Sequence, residues 1–246
     1  MLAENKIIRG LWIGSELTKI QQLSIQSFLD NGHDYHLYTY GPVKHVPPGA
    51  IIEEASKVLP WARRQDFQND ANFSDLFRTT VTWLRGGWYC DTDIVCLKPF
   101  DFEEPRVFVS EYQFGNGNPL KTEPLVNGCI LKIPIGDPMT GEILRRIKEL
   151  DTLHCGWIDV GPTQYRWGVN RFTYRGSIQH PDVFDSLWPD HHDKFVFGKT
   201  GDWKPAEHAY AIHLRTSYWS PQNKLDPNGT YPPESEFECL KRKHGI

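Results

Sequence analysis

The sequence predicts an α/β fold, and three observations carry that prediction. The first stretch of the chain runs strand, helix, strand within about 40 residues, which is the pattern of a parallel unit. Farther on, a helix over residues 73–84 passes through Gly86-Gly87 directly into an apolar strand. At 246 residues, with 39% hydrophobic and 13% aromatic content, the chain can build the core of one large domain or two small ones.

Residues 6–13 read as the first strand, ending at Gly14. Ser15 is placed to cap a helix over residues 16–30, with Leu17, Ile20, Leu23, Ile25 and Phe28 at helical spacing. Asn31-Gly32 stops it. Residues 35–40 form the next strand, closed by Gly41-Pro42. Phe73, Leu76, Phe77, Val81 and Leu84 make the clearest helix, with Asn72 or Ser74 as its cap. Strands are expected at 107–110 and 125–133, with GNGNPLKTEP between them as a polar loop able to move. A helix follows over 138–150 and a late strand over 209–214. After Ser220 the chain turns polar and proline-rich. The expected division is therefore a domain over 1–219 and a wrapping tail over 220–246 with little core of its own. Lys241-Arg242-Lys243 in that tail reads as a solvated terminus or as peripheral contact with an anionic membrane.

A net charge of −4 argues against nucleic acid as partner, since a nucleic-acid binder usually shows a basic stripe. No run approaches the ~18 apolar residues of a membrane span, and the N-terminus lacks the pattern of a signal peptide. The five cysteines form no CxxC pair and leave an odd count. These features lead to the expectation of reduced thiols and a cytoplasmic location.

Residues 85–99 read RGGWYCDTDIVCLKP. Trp88, Tyr89, Ile94, Val95 and Leu97 suit one buried strand, yet Asp91 and Asp93 stand in its middle. Buried carboxylates need partners. Three uses of such a pair are open. In metal-assisted nucleotide-sugar chemistry a dication faces the growing charge of a departing diphosphate. One pair of unit charges at ~4 Å and an effective dielectric of ~20 is worth roughly 4 kcal/mol, or about three decades of rate. In a DxDxV phosphohydrolase Asp91 is the nucleophile and Asp93 the acid/base. That reading lacks its later acidic motif, since Gly136-Asp137 is followed by PMTG and Gly201-Asp202 by WKPA. The third use is a turn whose aspartates cap backbone amides.

The segment NFSDLFRTTVTWLRGGWYCDTDIVCLKPF resembles the DXD-containing sugar-binding region of family 32 glycosyltransferases and of the α1,4-galactosyltransferase-like enzymes, whose core the clostridial glucosylating toxins share. The residues that carry the resemblance are Ser74, Asp75, Arg78, Gly86, Gly87, Tyr89, Asp91, Asp93 and Pro99. A weaker likeness runs from about residue 6 to residue 219.

The resemblance implies a single GT-A-like domain, a Rossmann-like mixed sheet flanked by helices. It implies transfer of a hexose from UDP-galactose or UDP-glucose to a carbohydrate or glycoconjugate hydroxyl, with retention and with Mn²⁺ or Mg²⁺. Asp75 and Arg78 would hold donor hydroxyls; by spacing alone they are an i, i+3 pair on a solvated face. Asp93 would bind the metal, and Asp91 the ribose and a metal-linked water. His213 would complete the metal shell, although a histidine on an apolar strand is otherwise a core residue. Trp12, in a strand ending Trp-x-Gly at Gly14, would stack on uracil or else belong to the core. Tyr89 and Asn127 fall in the donor region, and Trp219 would fold over the diphosphate as part of a lid. Gly161-Pro162-Thr163 reads as an acceptor-side stretch or as a helix start with Pro at its first position. Arg166 and Trp167 are candidate acceptor contacts. His191-His192-Asp193 reads as surface loop. A non-catalytic sugar-nucleotide-binding protein remains the alternative from a different class.

Overall fold

The structure, a computed structural model, describes residues 1–111 and 125–246; the glycine-rich stretch GNGNPLKTEP lies outside the described residues. Its centre is a seven-stranded sheet in the order β3-β2-β1-β4-β7-β6-β8. β1 (Ile7–Trp12) and β2 (Asp34–Thr39) pair in parallel across α1 (Lys19–Asp30), and β3 (Ile51–Glu54) adds to the edge of β2. β4 (Gly87–Cys90) lies between β1, to which it is parallel, and β7 (Leu125–Ile133), to which it is antiparallel. β6 (Val107–Glu111) and the short β8 (Ile178–Gln179) complete a mixed sheet. Ile8, Leu37, Trp88, Ile130 and Val109 are buried along it. Burial of side chains of this size is worth about 1.5–3 kcal/mol each, so the sheet is the rigid frame of the molecule.

Several elements differ from their expected limits, each for a local reason. α1 begins at Lys19 rather than near residue 16, because Thr18 and Gln21 form a capping box; Leu17 instead gives its N–H to the Lys44 carbonyl at 3.1 Å. α2 (Asp70–Arg85) is capped by Asn69, whose side chain accepts from the Asn72 N–H, so neither Asn72 nor Ser74 is the cap. α3 stops at Ile147 (Pro138–Ile147), short of residue 150, and its cap Asp137 accepts from the Met139 and Thr140 amides.

The largest correction concerns the aspartate strand. It is two strands, not one. β4 stays in the central sheet, whereas β5 (Ile94–Cys96) leaves it and pairs antiparallel with β9 (Ala211–His213), placing Ile94 opposite His213. Asp91 and Asp93 occupy the turn where the chain changes sheets. A carboxylate pair in the middle of a strand would have had to lie among apolar neighbours; at the turn it faces a cavity.

The C-terminal segment holds more structure than a bare wrapping tail. α7 (Glu236–Lys243), capped by Ser235, buries Phe237 completely, and Leu225 is buried as well. Lys241 is itself buried, ion-paired to Glu238 at 2.7 Å and bonded to the Gly229 carbonyl. Only Arg242 and Lys243 of that basic triplet are left facing outward. Phe237 joins Phe195, Trp203 and Trp219 in a core cluster on the β5–β9 side. Among the described residues, no helix is long and apolar enough to cross a membrane.

Candidate active site

A cavity of about 600 Å³ opens where β1 and β4 end. Ligands of open α/β sheets usually bind at such carboxyl ends. β1 contributes Leu11 and Trp12, β4 contributes Tyr89 and leads into Asp91-Thr92-Asp93, and α2 contributes Ser74, Asp75 and Arg78. Asn127, Cys129, His213, Arg215 and Thr216 close the opposite wall.

Asp75 and Arg78 do not form a solvated pair. Both are buried, and one guanidinium serves two carboxylates: Nη1 donates to Asp75 Oδ1 at 2.7 Å, and Nη2 donates to both oxygens of Asp91 at 2.7 and 2.9 Å. The Arg78 guanidinium also lies 5.3 Å from the centre of the Tyr89 ring. Two glycines make this packing feasible. A Cβ at Gly128 would collide with Arg78 Nη1, and one at Gly161 would collide with the Asp75 carboxylate. Gly161 is thus required by close approach to the ionic pair, and Pro162 opens α4 (Pro162–Arg171) beside it. Burial, opposed by Arg78, pushes Asp75 up to about 7. Asp91 is likewise raised by burial, with Arg78 pulling the other way.

Asp93 is held differently. Its Oδ2 accepts the Thr216 N–H and the Thr216 hydroxyl, both at 2.9 Å. Its Oδ1 is buried without a hydrogen bond and lies 3.6 Å from His213 Nε2. Burial would raise the Asp93 pKa, but His213 and Thr216 outweigh it and hold the carboxyl well below its ordinary value. Burial also opposes charge on His213, yet the Cys129 sulfur and the Asp93 and Asp185 groups raise its pKa well above the imidazole norm.

Those last contacts belong to a network the sequence did not announce. Asp185 is fully buried, with Oδ1 at 3.4 Å from His213 Nδ1 and Oδ2 bonded to Arg215 Nη2. Arg215 Nη1 reaches Glu111 Oε2 at 3.2 Å, and the same oxygen accepts from Asn127 Nδ2 at 2.9 Å. Asn127 is therefore committed to Glu111 at one end and to the Cys129 N–H at the other. Among the described residues, the carboxylates of Asp75, Asp91, Asp93, Glu111 and Asp185 are interleaved with Arg78, Arg166, His213 and Arg215 around this space.

The donor set bears on a divalent ion. Among the described residues, no group of three His, Cys, Asp or Glu side chains is arranged to hold one alone. Mg²⁺-type sites at nucleotides, however, use one or two carboxylates together with substrate phosphates and water. A buried Asp93 Oδ1 without a hydrogen bond, beside His213 Nε2, is a protein half-set of that kind, so the residues fit. Asp91 accepts from Arg78 on both oxygens and keeps a part-exposed edge at the cavity, where carboxylate lone pairs remain for a ligand.

Other expectations divide. Trp12 is half-buried on the cavity wall, with its Nε1 buried and unbonded. Gly14 lies beside that indole, where a Cβ would come to 2.9 Å from Nε1. Trp219 is not at the cavity. It is buried against Phe237 and Tyr231 and donates Nε1–H to the Leu214 carbonyl at 2.9 Å; its neighbour Thr216 reaches the site instead. Trp167 packs under the Arg146 guanidinium and off the cavity, while Arg166 donates to the Val126 carbonyl and lies 3.9 Å from Glu111. His192 is not surface loop: it starts α6 (His192–Phe197), is buried, and stacks on Tyr218 at 5.2 Å. Burial pulls its pKa down to about 4, which keeps it neutral at pH 7.

Residues 22–114 match the family model described as a glycosyltransferase sugar-binding region containing the DXD motif. Among solved structures the fold is similar to the PaToxG glycosyltransferase, at 16% identity and a TM-score of 0.52, over 68% of this chain and 69% of that one. At that identity the likeness is one of fold. No curated protein matches the sequence. The matched region, with the DXD turn at the mouth of a GT-A-like sheet, supports a glycosyltransferase.

Proposed function

We propose that the chain is a metal-dependent, retaining hexosyltransferase of the family 32 and α1,4-galactosyltransferase-like group. It takes UDP-galactose or UDP-glucose as donor and a carbohydrate or glycoconjugate hydroxyl as acceptor. The observation that carries this reading is the unpartnered Asp93 Oδ1 facing His213 Nε2 at the wall of the strand-end cavity. When bound there, Mn²⁺ or Mg²⁺ supplies positive charge to the diphosphate oxygens as the sugar departs.

The remaining work falls to the chain. Asp93 and His213, with Asp91 beside them, would hold the ion. Arg78 fixes the Asp75 and Asp91 carboxylates in one rigid array before any substrate arrives, so their outward edges meet donor hydroxyls and ribose at little cost in order. The indole of Trp12 stacks on uracil, worth about 1–3 kcal/mol, and Tyr89 backs the array. No side chain is assigned as a covalent nucleophile. The acceptor attacks the face from which the phosphate leaves, and that phosphate oxygen takes its proton. Residues 1–219 carry the site and 220–246 pack against them. Five unbridged cysteines suit a reducing cytoplasm.

The test is UDP release from a panel of UDP-hexoses, with Mn²⁺ and with EDTA. Release from UDP-galactose or UDP-glucose that EDTA abolishes is the expected result. Orthophosphate release from simple phosphomonoesters instead would favour a phosphohydrolase. UDP-sugar binding without turnover, over a broad acceptor panel, would favour a binding protein.

A further inference from the structure

We propose that Asp185 is a positioning residue that sets both oxygens of Asp93, and with them the ion site, without touching substrate. The inference rests on the metal reading above. Asp185 follows the short helix α5 (Pro181–Phe184), far in sequence from the DXD turn, and its carboxylate is fully buried. Its two oxygens begin two separate paths that meet at Asp93.

The first path runs through His213. Asp185 Oδ1 and His213 Nδ1 face each other at 3.4 Å, and neither has a hydrogen bond that meets normal geometry. The other ring nitrogen, Nε2, lies 3.6 Å from Asp93 Oδ1. The fixed carboxylate at Nδ1 therefore sets the orientation of the imidazole and aims Nε2 at the Asp93 oxygen that has no hydrogen bond. Carboxylates behind metal-bound imidazoles orient the ring in this way.

The second path runs through the backbone. Asp185 Oδ2 anchors the Arg215 guanidinium, which Glu111 grips from its other side at 3.2 Å. Arg215 has φ of +53°, a left-handed conformation that is strained for a residue with a side chain. That turn directs the Thr216 N–H and hydroxyl onto Asp93 Oδ2. With Oδ2 occupied by Thr216, only Oδ1 remains to face a cation.

The test is an Asp185→Asn variant, titrated with Mn²⁺ in the presence of UDP, with the free ion read by electron paramagnetic resonance. Asn still offers Arg215 an oxygen but no longer sets a carboxylate against His213 Nδ1. The apparent Mn²⁺ dissociation constant should rise about 10–100-fold, while turnover at saturating Mn²⁺ stays near that of the wild type. Equal Mn²⁺ affinity in the two proteins would overturn this proposal alone. A wild type that leaves the ion free in the presence of UDP would overturn the metal reading and this proposal with it. A second variant, Thr216→Val, removes the hydroxyl that holds Asp93 Oδ2 and should raise the same dissociation constant; unchanged affinity there would overturn the path through Arg215 and Thr216.

Discussion

Asp93→Asn should lower metal-dependent UDP release by about three decades while leaving the fold intact. The substitution preserves shape: an amide oxygen can still accept from the Thr216 N–H and hydroxyl that bond Asp93 Oδ2 at 2.9 Å. What it removes is the charge at Oδ1, the one oxygen of this buried group left without a hydrogen bond. A unit charge acting on a cation at ~4 Å with an effective dielectric of ~20 is worth roughly 4 kcal/mol, which is about three decades of rate. Steady-state kinetics at saturating donor, alongside thermal melting, would read this directly. Full metal-dependent turnover in a folded variant would contradict the role given to Asp93.

The second large effect is on stability. Arg78→Ala removes the one guanidinium bonded to both Asp75 and Asp91 and leaves those carboxylates at the wall of the cavity. Breaking one side of a buried ion pair costs about 3–5 kcal/mol, because the surviving charge is uncompensated. Urea unfolding at pH 8 should show a loss of that size. The pH dependence has a definite sign. Burial already holds Asp75 at about 7 and raises Asp91, with Arg78 as the opposing influence on both. Without Arg78 both folded-state pKa values rise further above their unfolded values. Stability that depends on protonating these groups is present at low pH and is lost as pH rises through the folded values. The deficit of the variant should therefore shrink between pH 8 and pH 5. An equal deficit at both pH values would mean that the two carboxylates are not the groups Arg78 serves.

Much of the fold was legible because local signals agreed with one another. The β1-α1-β2 unit and α2 followed from apolar spacing and from the glycines that end them. Their limits moved only where the cap lay about one helical turn before or after the residue chosen, as with Thr18 and Asn69. The break between β4 and β5 was hidden, because Ile94 and Val95 are as buried as Trp88 and Tyr89 and give the same apolar pattern. Only pairing with β9, more than a hundred residues away, distinguishes them.

The site was legible in the same uneven way. Asp75, Arg78, Asp91 and Asp93 lie within one segment, so spacing and resemblance together found them. Glu111, Asp185 and Arg215 come from three separate segments and meet only in the folded chain. A local motif cannot reveal such a network. A buried carboxylate among apolar residues, as at Asp185 after PDVF, was the one available cue. Trp219 and His192 misled in opposite ways: a large aromatic looked functional in isolation, and a histidine in a polar run looked like surface, yet both are buried. Burial against Phe237 in one case and under Tyr218 in the other is a property of packing that the α6 and α7 segments supply.

The account depends on an ion held at the DXD turn, and diffraction from a crystal soaked with Mn²⁺ and UDP would test it most directly. An anomalous peak shared by Asp93 Oδ1 and His213 Nε2, in contact with the diphosphate, is the predicted result. A bound nucleotide whose Mn²⁺ peak lies away from those two atoms, or that carries no peak at all, would contradict it.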